Sequence, residues 1–169
     1  MIALLLACAA ASLAPAGQVD GELWRHETLG LVTSLPPGWQ VAIAPDAFES
    51  GLEGLLAEAR SEDEGLWLAI AYTPLPLGVD QLSALDLLAA LNPAHDALAD
   101  ETYLLERVPG CRDGVYRRRT GADGRTVHQV ARRAAEGLVV WHGWQAPGRR
   151  GAGVRLRQIA CERSTVRGP

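Results

Sequence analysis

Arg117, Arg119, His128 and Arg132 are the side chains whose types and spacing point most directly to chemistry. Guanidinium forks match the oxygens of phosphates and carboxylates, so several on one surface make an anion-binding group. Two runs rich in β-branched residues carry them, 114–120 and 125–134, with Gly121-Ala-Asp-Gly124 between. With that tetrapeptide as the loop of a hairpin, Arg117 lies opposite His128 and Arg119 opposite Thr126. Side chains alternate across a strand, so Arg117, Arg119, His128 and Arg132 then share one face. Four cationic groups repel one another there unless carboxylates or a bound anion lie among them. The acids can come from the chain itself, or the cluster can hold an anionic ligand or an envelope protein.

The other reactive side chains offer less. Cys111 and Cys161 are the two cysteines beyond the N-terminal apolar run. An even pair in an exported protein suggests a disulfide, and two buried free thiols are the alternative. A two-residue turn at Ala135 and Glu136 sets His142 opposite Gln129 and leaves His128 on the other face of the sheet. His26 and His95 have no ligand spacing, so no metal site is assigned. Glu62, Asp63 and Glu64 form a polar break without the alternating oxygen ligands of a calcium loop. Nothing near them would perturb a carboxylate toward general acid–base work. Gly-x-Ser-x-Gly, His-Glu-x-x-His, the P-loop and Gly-x-Gly-x-x-Gly are all missing from the sequence. No catalytic residue or cofactor is therefore expected, and a hydrolase without a recognisable motif is the competing class. Trp39, Trp67, Trp141 and Trp144 read first as core. Trp141 and Trp144 fall on opposite faces of one run, so one of them can be exposed.

The whole chain limits the partners. It has 169 residues, enough for one domain with a real core, and a net charge of -4. All 16 basic residues are Arg. Through Glu106 there are 16 acids against Arg25 and Arg60; beyond it there are 14 Arg against four acids. Either the halves interleave and neutralise each other, or the second half presents a basic surface. The acidic balance and the lack of a base-stacking motif argue against nucleic acid. Residues 1–16 are apolar and uncharged, too short to span a bilayer, and end in Ala14-Pro15-Ala16. They predict a signal peptide cut before Gly17, although no basic residue precedes the apolar run. Leu5-Leu6-Ala7-Cys8 resembles a lipobox, so Cys8 is the candidate lipidation site and the one route to membrane anchoring. The expected location is the periplasm or the extracellular space.

The elements that must position these residues follow from periodicity. Residues 17–22 read as a short N-terminal segment before a single domain at 23–166. Residues 23–34 look extended, and Pro36-Pro37-Gly38 breaks them. Asp46 and Glu49 resemble a capping box, and Phe48, Leu52, Leu55, Leu56 and Ala59 share a helical face. Residues 66–73 predict a central strand, because both of its faces are apolar. Asp80 caps a second helix with Leu82, Leu85, Leu88 and Ala89 as its stripe. Residues 102–108 predict a strand that leads into a three-strand meander over 114–144. Ala152, Leu156, Ile159 and Ala160 predict a closing helix to about Arg163.

This order, with Gly30-Leu-Val-Thr-Ser-Leu-Pro-Pro-Gly-Trp39 at its start, resembles the PsbP/DcrB-like superfamily over roughly residues 23–165. The shared features are a strand followed by Pro-x-Gly-Trp, then the meander, an aromatic-bearing strand at 138–144 and a last helix. The resemblance implies an α+β sandwich: an antiparallel sheet of about six strands with helices on both faces. It also implies a non-enzymatic binding or assembly role in the cell envelope, or at the lumenal side of photosystem II for PsbP itself. A structural lipoprotein is the alternative within the envelope. No metal- or chloride-linked residue of PsbP has a match here. The pair Cys111 and Cys161 is a departure from the family pattern.

Overall fold

The computed structural model describes residues 17–43, 52, 54–75, 84–85, 102–121, 124–134, 137–146 and 148–167. The first strands are β1 (Gly17–Asp20), β2 (Leu23–His26), β3 (Leu31–Ser34) and β4 (Gln40–Ala42). β5 (Leu55–Ser61) and β6 (Leu66–Pro74) follow, and then β7 (Thr102–Arg107). The meander is β8 (Val115–Thr120), β9 (Thr126–Ala134) and β10 (Gly137–Gln145). The chain closes with helix α1 (Ala152–Arg157), a π-helical turn (Gln158–Glu162) and β11 (Ser164–Thr165).

These strands form two sheets rather than one of about six strands. The larger runs β4-β5-β6-β10-β9-β8-β7 and the smaller β1-β2-β3-β11, with antiparallel pairing throughout. The meander therefore forms as expected, and its last strand pairs with β6 in the middle of the sheet. Leu68, Ile70, Val130, Val139 and Trp141 pack one face of the large sheet against Trp24 and Leu31 of the small sheet and Leu156 and Ile159 of the closing helix. Burying such side chains stabilises by about 1.5–3 kcal/mol each, so this cluster holds the two sheets together. On the opposite face Val115, Ala131, Leu138 and Val140 pack around Ala84, which lies in helical backbone. The expected helices on both faces thus reduce, among the described residues, to α1 on one face and Ala84 with Leu85 on the other.

Three expectations need correction. Residues 23–34 are not one extended run but a hairpin, β2–β3, whose turn ends at Gly30 with φ 56°. Residues 17–22 are not a tail outside the domain, because β1 pairs with β2 along its whole length. The helix expected over 46–59 is strand β5 where the chain is described. A register irregularity between Leu55 and Ala57 interrupts the alternation, and Leu56, Ala57, Glu58 and Ala59 are all buried, so only Arg60 marks an exposed face. Gly54, at φ 69°, sits at the start of β5 under the Tyr72 carbonyl, a space that a Cβ could not enter. The remainder of that helix, 46–51 and 53, lies outside the described residues. So does the helix expected at 80–89, apart from Ala84 and Leu85.

Candidate functional site: two sheet faces and a basic cleft

The expected four-cation cluster does not form. Thr120 pairs with Thr126, so Arg117 lies opposite Gln129 and Arg118 opposite His128. The loop includes Arg125, because the Gly121 amide bonds the Arg125 carbonyl and Gly124 turns the chain at φ 77°. One extra loop residue shifts the register by one and exchanges the faces. Arg117 and Arg119 therefore stand on the Ala84 face, and His128 and Arg132 on the α1 face. The expected placement of His142 opposite Gln129, with His128 on the other face, does hold.

On the α1 face, Arg132 is a structural group. Its Nη1 donates to the Ala160 and Ser164 carbonyls, both at 2.8 Å, and so ties the end of the π-helical turn to β9. Burial pushes its guanidinium below its usual range, against the opposing charge of Asp113. His128 takes a hydrogen bond of 2.6 Å between Tyr116 Oη and its Nδ1. Arg157 lies 4.8 Å over the Tyr116 ring and also reaches Glu106 at 3.2 Å. Burial lowers the His128 pKa, and the charges of Arg118 and Arg157 lower it further. Burial raises that of Tyr116, which the charges of Arg157 and Arg118 partly oppose. A neutral imidazole accepting from a neutral phenol fits both shifts. Gly153 permits this packing, since a Cβ there would lie 2.5 Å from Tyr116 Oη.

On the other face Arg117, 6% exposed, donates from Nε to Gln129 Oε1 at 2.6 Å. Gln129 then meets His142 Nδ1 at 2.9 Å. Burial, with Arg117 nearby, holds His142 down to about 4. This ladder is internal polar structure and presents no open cationic surface.

The exposed cations lie elsewhere. A cleft of about 640 Å³ opens between the 63–66 turn and α1, lined by Asp63, Glu64, Arg149, Arg150, Arg155 and others. Arg155 forms a two-pronged pair with Glu64, Nε to Oε2 at 2.9 Å and Nη2 to Oε1 at 2.8 Å. Arg149 and Arg150 are exposed and pair with no described carboxylate. Their loop is pinned: Gln145 donates to the Arg150 carbonyl and accepts from the Ala152 amide. The Ala146 amide bonds the Gly65 carbonyl, and the stem of Arg149 passes close to Gly65. Val154, 63% exposed, stands on the lip of the cleft. The readable signal is the Arg149-Arg150 pair between Gly148 and Gly151.

Cys111 and Cys161 are joined in a disulfide across a separation of 50 residues. It ties the turn before the meander to the π-helical turn, as the even pair suggested. Cys8 and residues 1–16 lie outside the described residues. Among the described residues no three His, Cys, Asp or Glu side chains come together as a metal group. No described helix is long and apolar enough to cross a membrane.

No protein-family model matches the chain, and no curated protein matches it. Among solved structures it is similar to cyanobacterial PsbP (CyanoP) from Synechocystis sp. PCC 6803. That likeness has a TM-score of 0.55 at 16% identity and covers 90% of this chain and 99% of that one. At this identity the likeness speaks for architecture alone: the chain has a PsbP-like fold.

Proposed function

We propose that this chain is an exported, non-enzymatic binding or assembly module of the bacterial cell envelope, docking an acidic protein on the cleft beside α1. The observation that carries the reading is the pair Arg149 and Arg150, held toward solvent on a pinned loop. A loop backbone fixed in place loses less freedom on binding than a mobile one, so its arginines favour a partner carboxylate more than those of a mobile loop would. Asp63 and Glu64 line the same cleft, which disfavours a uniform polyanion and favours a protein surface of mixed groups. Export is supported by the disulfide, which persists in oxidising compartments, and by the apolar leader at 1–16. Processing at Cys8 instead of before Gly17 would add a membrane anchor to the same module.

Cross-linked recovery of the tagged protein from its native envelope tests the reading. Wild type should recover a specific acidic protein, and Arg149→Glu with Arg150→Glu should lose it at least tenfold. Arg25→Glu with Arg112→Glu, the same charge change at other exposed arginines, should retain it. Recovery should also weaken as salt is raised, since surface charges are screened beyond about 8 Å at physiological ionic strength. Equal recovery by all three proteins removes the docking reading.

A further inference from the structure

A second surface lies on the Ala84 face of the large sheet, on the opposite side from the one α1 covers. Register places Gln40 opposite Arg60, Arg60 opposite Trp67, and Trp67 opposite Trp144. These four side chains form one row across β4, β5, β6 and β10, because directly opposed residues share a face. The row lies toward the end of β10 farther from Ala84. Gln40 and Arg60 are exposed and the two tryptophans half-buried, whereas Trp141, on the other face of β10, is fully buried. Beside the row is a pocket of about 210 Å³, lined by Gln40, Glu58, Arg60 and Trp67 among others.

The chemistry of this pocket is specific. Arg60 Nε donates to Gln40 Oε1 at 2.9 Å, which sets the guanidinium and the amide side by side. Glu58, 4% exposed, brings a buried carboxylate to the same wall. A guanidinium beside a carboxylate disfavours a free anion through one member and a free cation through the other. Glu58 and Arg60 each keep further partners, but a carboxylate has about four acceptor sites and a guanidinium five donors, so a hydroxyl, which both donates and accepts, can add to their bonds and to those of the amide. A ligand with several hydroxyls and one apolar face suits polar groups set around an indole. Trp67 has no aromatic partner among the described residues, whereas Trp144 stacks on His142 at 6.0 Å and 14°.

We infer that the Gln40–Arg60–Trp67–Trp144 row binds a neutral sugar. The C–H face of one pyranose ring lies on the Trp67 indole, and its hydroxyls bond Glu58, Arg60 and Gln40. The pocket is smaller than the roughly 300–1,000 Å³ typical of sites for whole drug-sized ligands, so it takes one ring. Neighbouring strands lie about 4.8 Å apart, close to the length of one sugar unit, so Trp144 on β10 is placed for the next ring of a chain. The site is an uncharged-oligosaccharide site and shares no residue with the arginine cleft beside α1.

The test is titration of the ¹⁵N-labelled full chain with chitotetraose, cellotetraose and maltotetraose, reading the indole N–H signals of the five tryptophans. At least one of these sugars should shift Trp67 and Trp144 at millimolar concentration and leave buried Trp24 and Trp141 in place. Trp67→Ala should weaken that binding at least tenfold, and Trp67→Phe should keep part of it. Arg60→Ala, a change at an exposed position, should also weaken it at least tenfold with the thermal midpoint little changed. Failure of all three sugars to move the Trp67 signal overturns the inference, as does binding that survives both Trp67→Ala and Arg60→Ala. A proline-rich peptide that shifts these indoles where the sugars do not would reassign the row to peptide recognition and equally overturn it.

Discussion

Replacing Arg132 by methionine separates a structural arginine from a binding one. In the fold, one nitrogen of Arg132 serves two carbonyls, Ala160 and Ser164, each at 2.8 Å. Ala160 is fully buried and Ser164 nearly so, which makes water a poor substitute for the lost donor. A hydrogen bond to a charged group contributes about 1.5–3 kcal/mol net, and stranded buried acceptors cost about 1–3 kcal/mol. Two terms oppose this. Both bonds leave from one nitrogen, so they do not add in full, and Arg132 Nε is itself buried without a partner. Methionine also fills part of the space left by the arginine stem. The net loss should be about 2 kcal/mol, which for a chain of this size lowers the thermal midpoint by about 4–8 °C. Urea unfolding followed by tryptophan fluorescence gives the free energy, and a thermal melt gives the midpoint. Arg112→Met is the control: its side chain is 91% exposed and its Asp113 contact is 3.7 Å, so the change should stay within about 0.5 kcal/mol. An Arg132→Met protein as stable as wild type would refute the reasoning, the more so if it had lost an anionic partner.

Further predictions follow from the same contacts. Cys111→Ser with Cys161→Ser should cost about 4 kcal/mol in the chain-entropy account of a 50-residue loop, measured by urea unfolding. A thiol count on denatured, unreduced protein from the native compartment should find neither cysteine free. Gly153→Ala should cost about 1–3 kcal/mol, because the new methyl meets Tyr116 Oη at 2.5 Å and His128 Nδ1 at 2.8 Å. Stability should fall as pH drops from 6.5 toward about 4. His142 stays neutral in the fold over that window while the unfolded chain takes up the proton, so stability rises with pH there. The lowered pKa values of His26 and His128 act in the same direction. His142→Gln should flatten the slope in urea midpoints across that window; an unchanged slope would contradict the assignment.

The sequence was legible where one signal decided the outcome. The meander is framed by turn residues, and β6 is apolar on both faces, as a central strand must be. Gly137 pairs with Ala134 in the expected β9–β10 register, so His142 and Gln129 meet as expected. The β8–β9 register failed by a single residue. Gly121 and Gly124 look like the limits of a four-residue loop, yet Arg125 closes the turn through its carbonyl. Thr120 and Thr126 then meet across the strands, 2.9 Å between their hydroxyls. That slip split the expected site, since Arg117 and Arg119 went to one face and His128 and Arg132 to the other. β5 was misread for a different reason. Leu52, Leu55, Leu56 and Ala59 keep helical spacing, and the irregularity between Leu55 and Ala57 leaves only Ala57-Glu58-Ala59-Arg60 to alternate. The charge asymmetry was readable in its bland form: Arg155 with Glu64 and Arg157 with Glu106 join the basic half to the acidic one. The basic cleft is not legible in the sequence, because the turn at 62–65 and residues 148–151 are remote from each other along the chain. Only the pairing of β10 with β6 brings them together.

The central claim is that the surface around α1 is where a partner docks. A photo-cross-linking amino acid placed at Val154 in living cells tests it most directly, because that side chain is 63% exposed on the lip of the cleft. The same group at Val19 on β1, 42% exposed, is the comparison. The account predicts one dominant cross-linked product from position 154, an acidic envelope protein, lost on adding Arg149→Glu and Arg150→Glu and missing from position 19. No product from 154, or the same products from both positions, would contradict it.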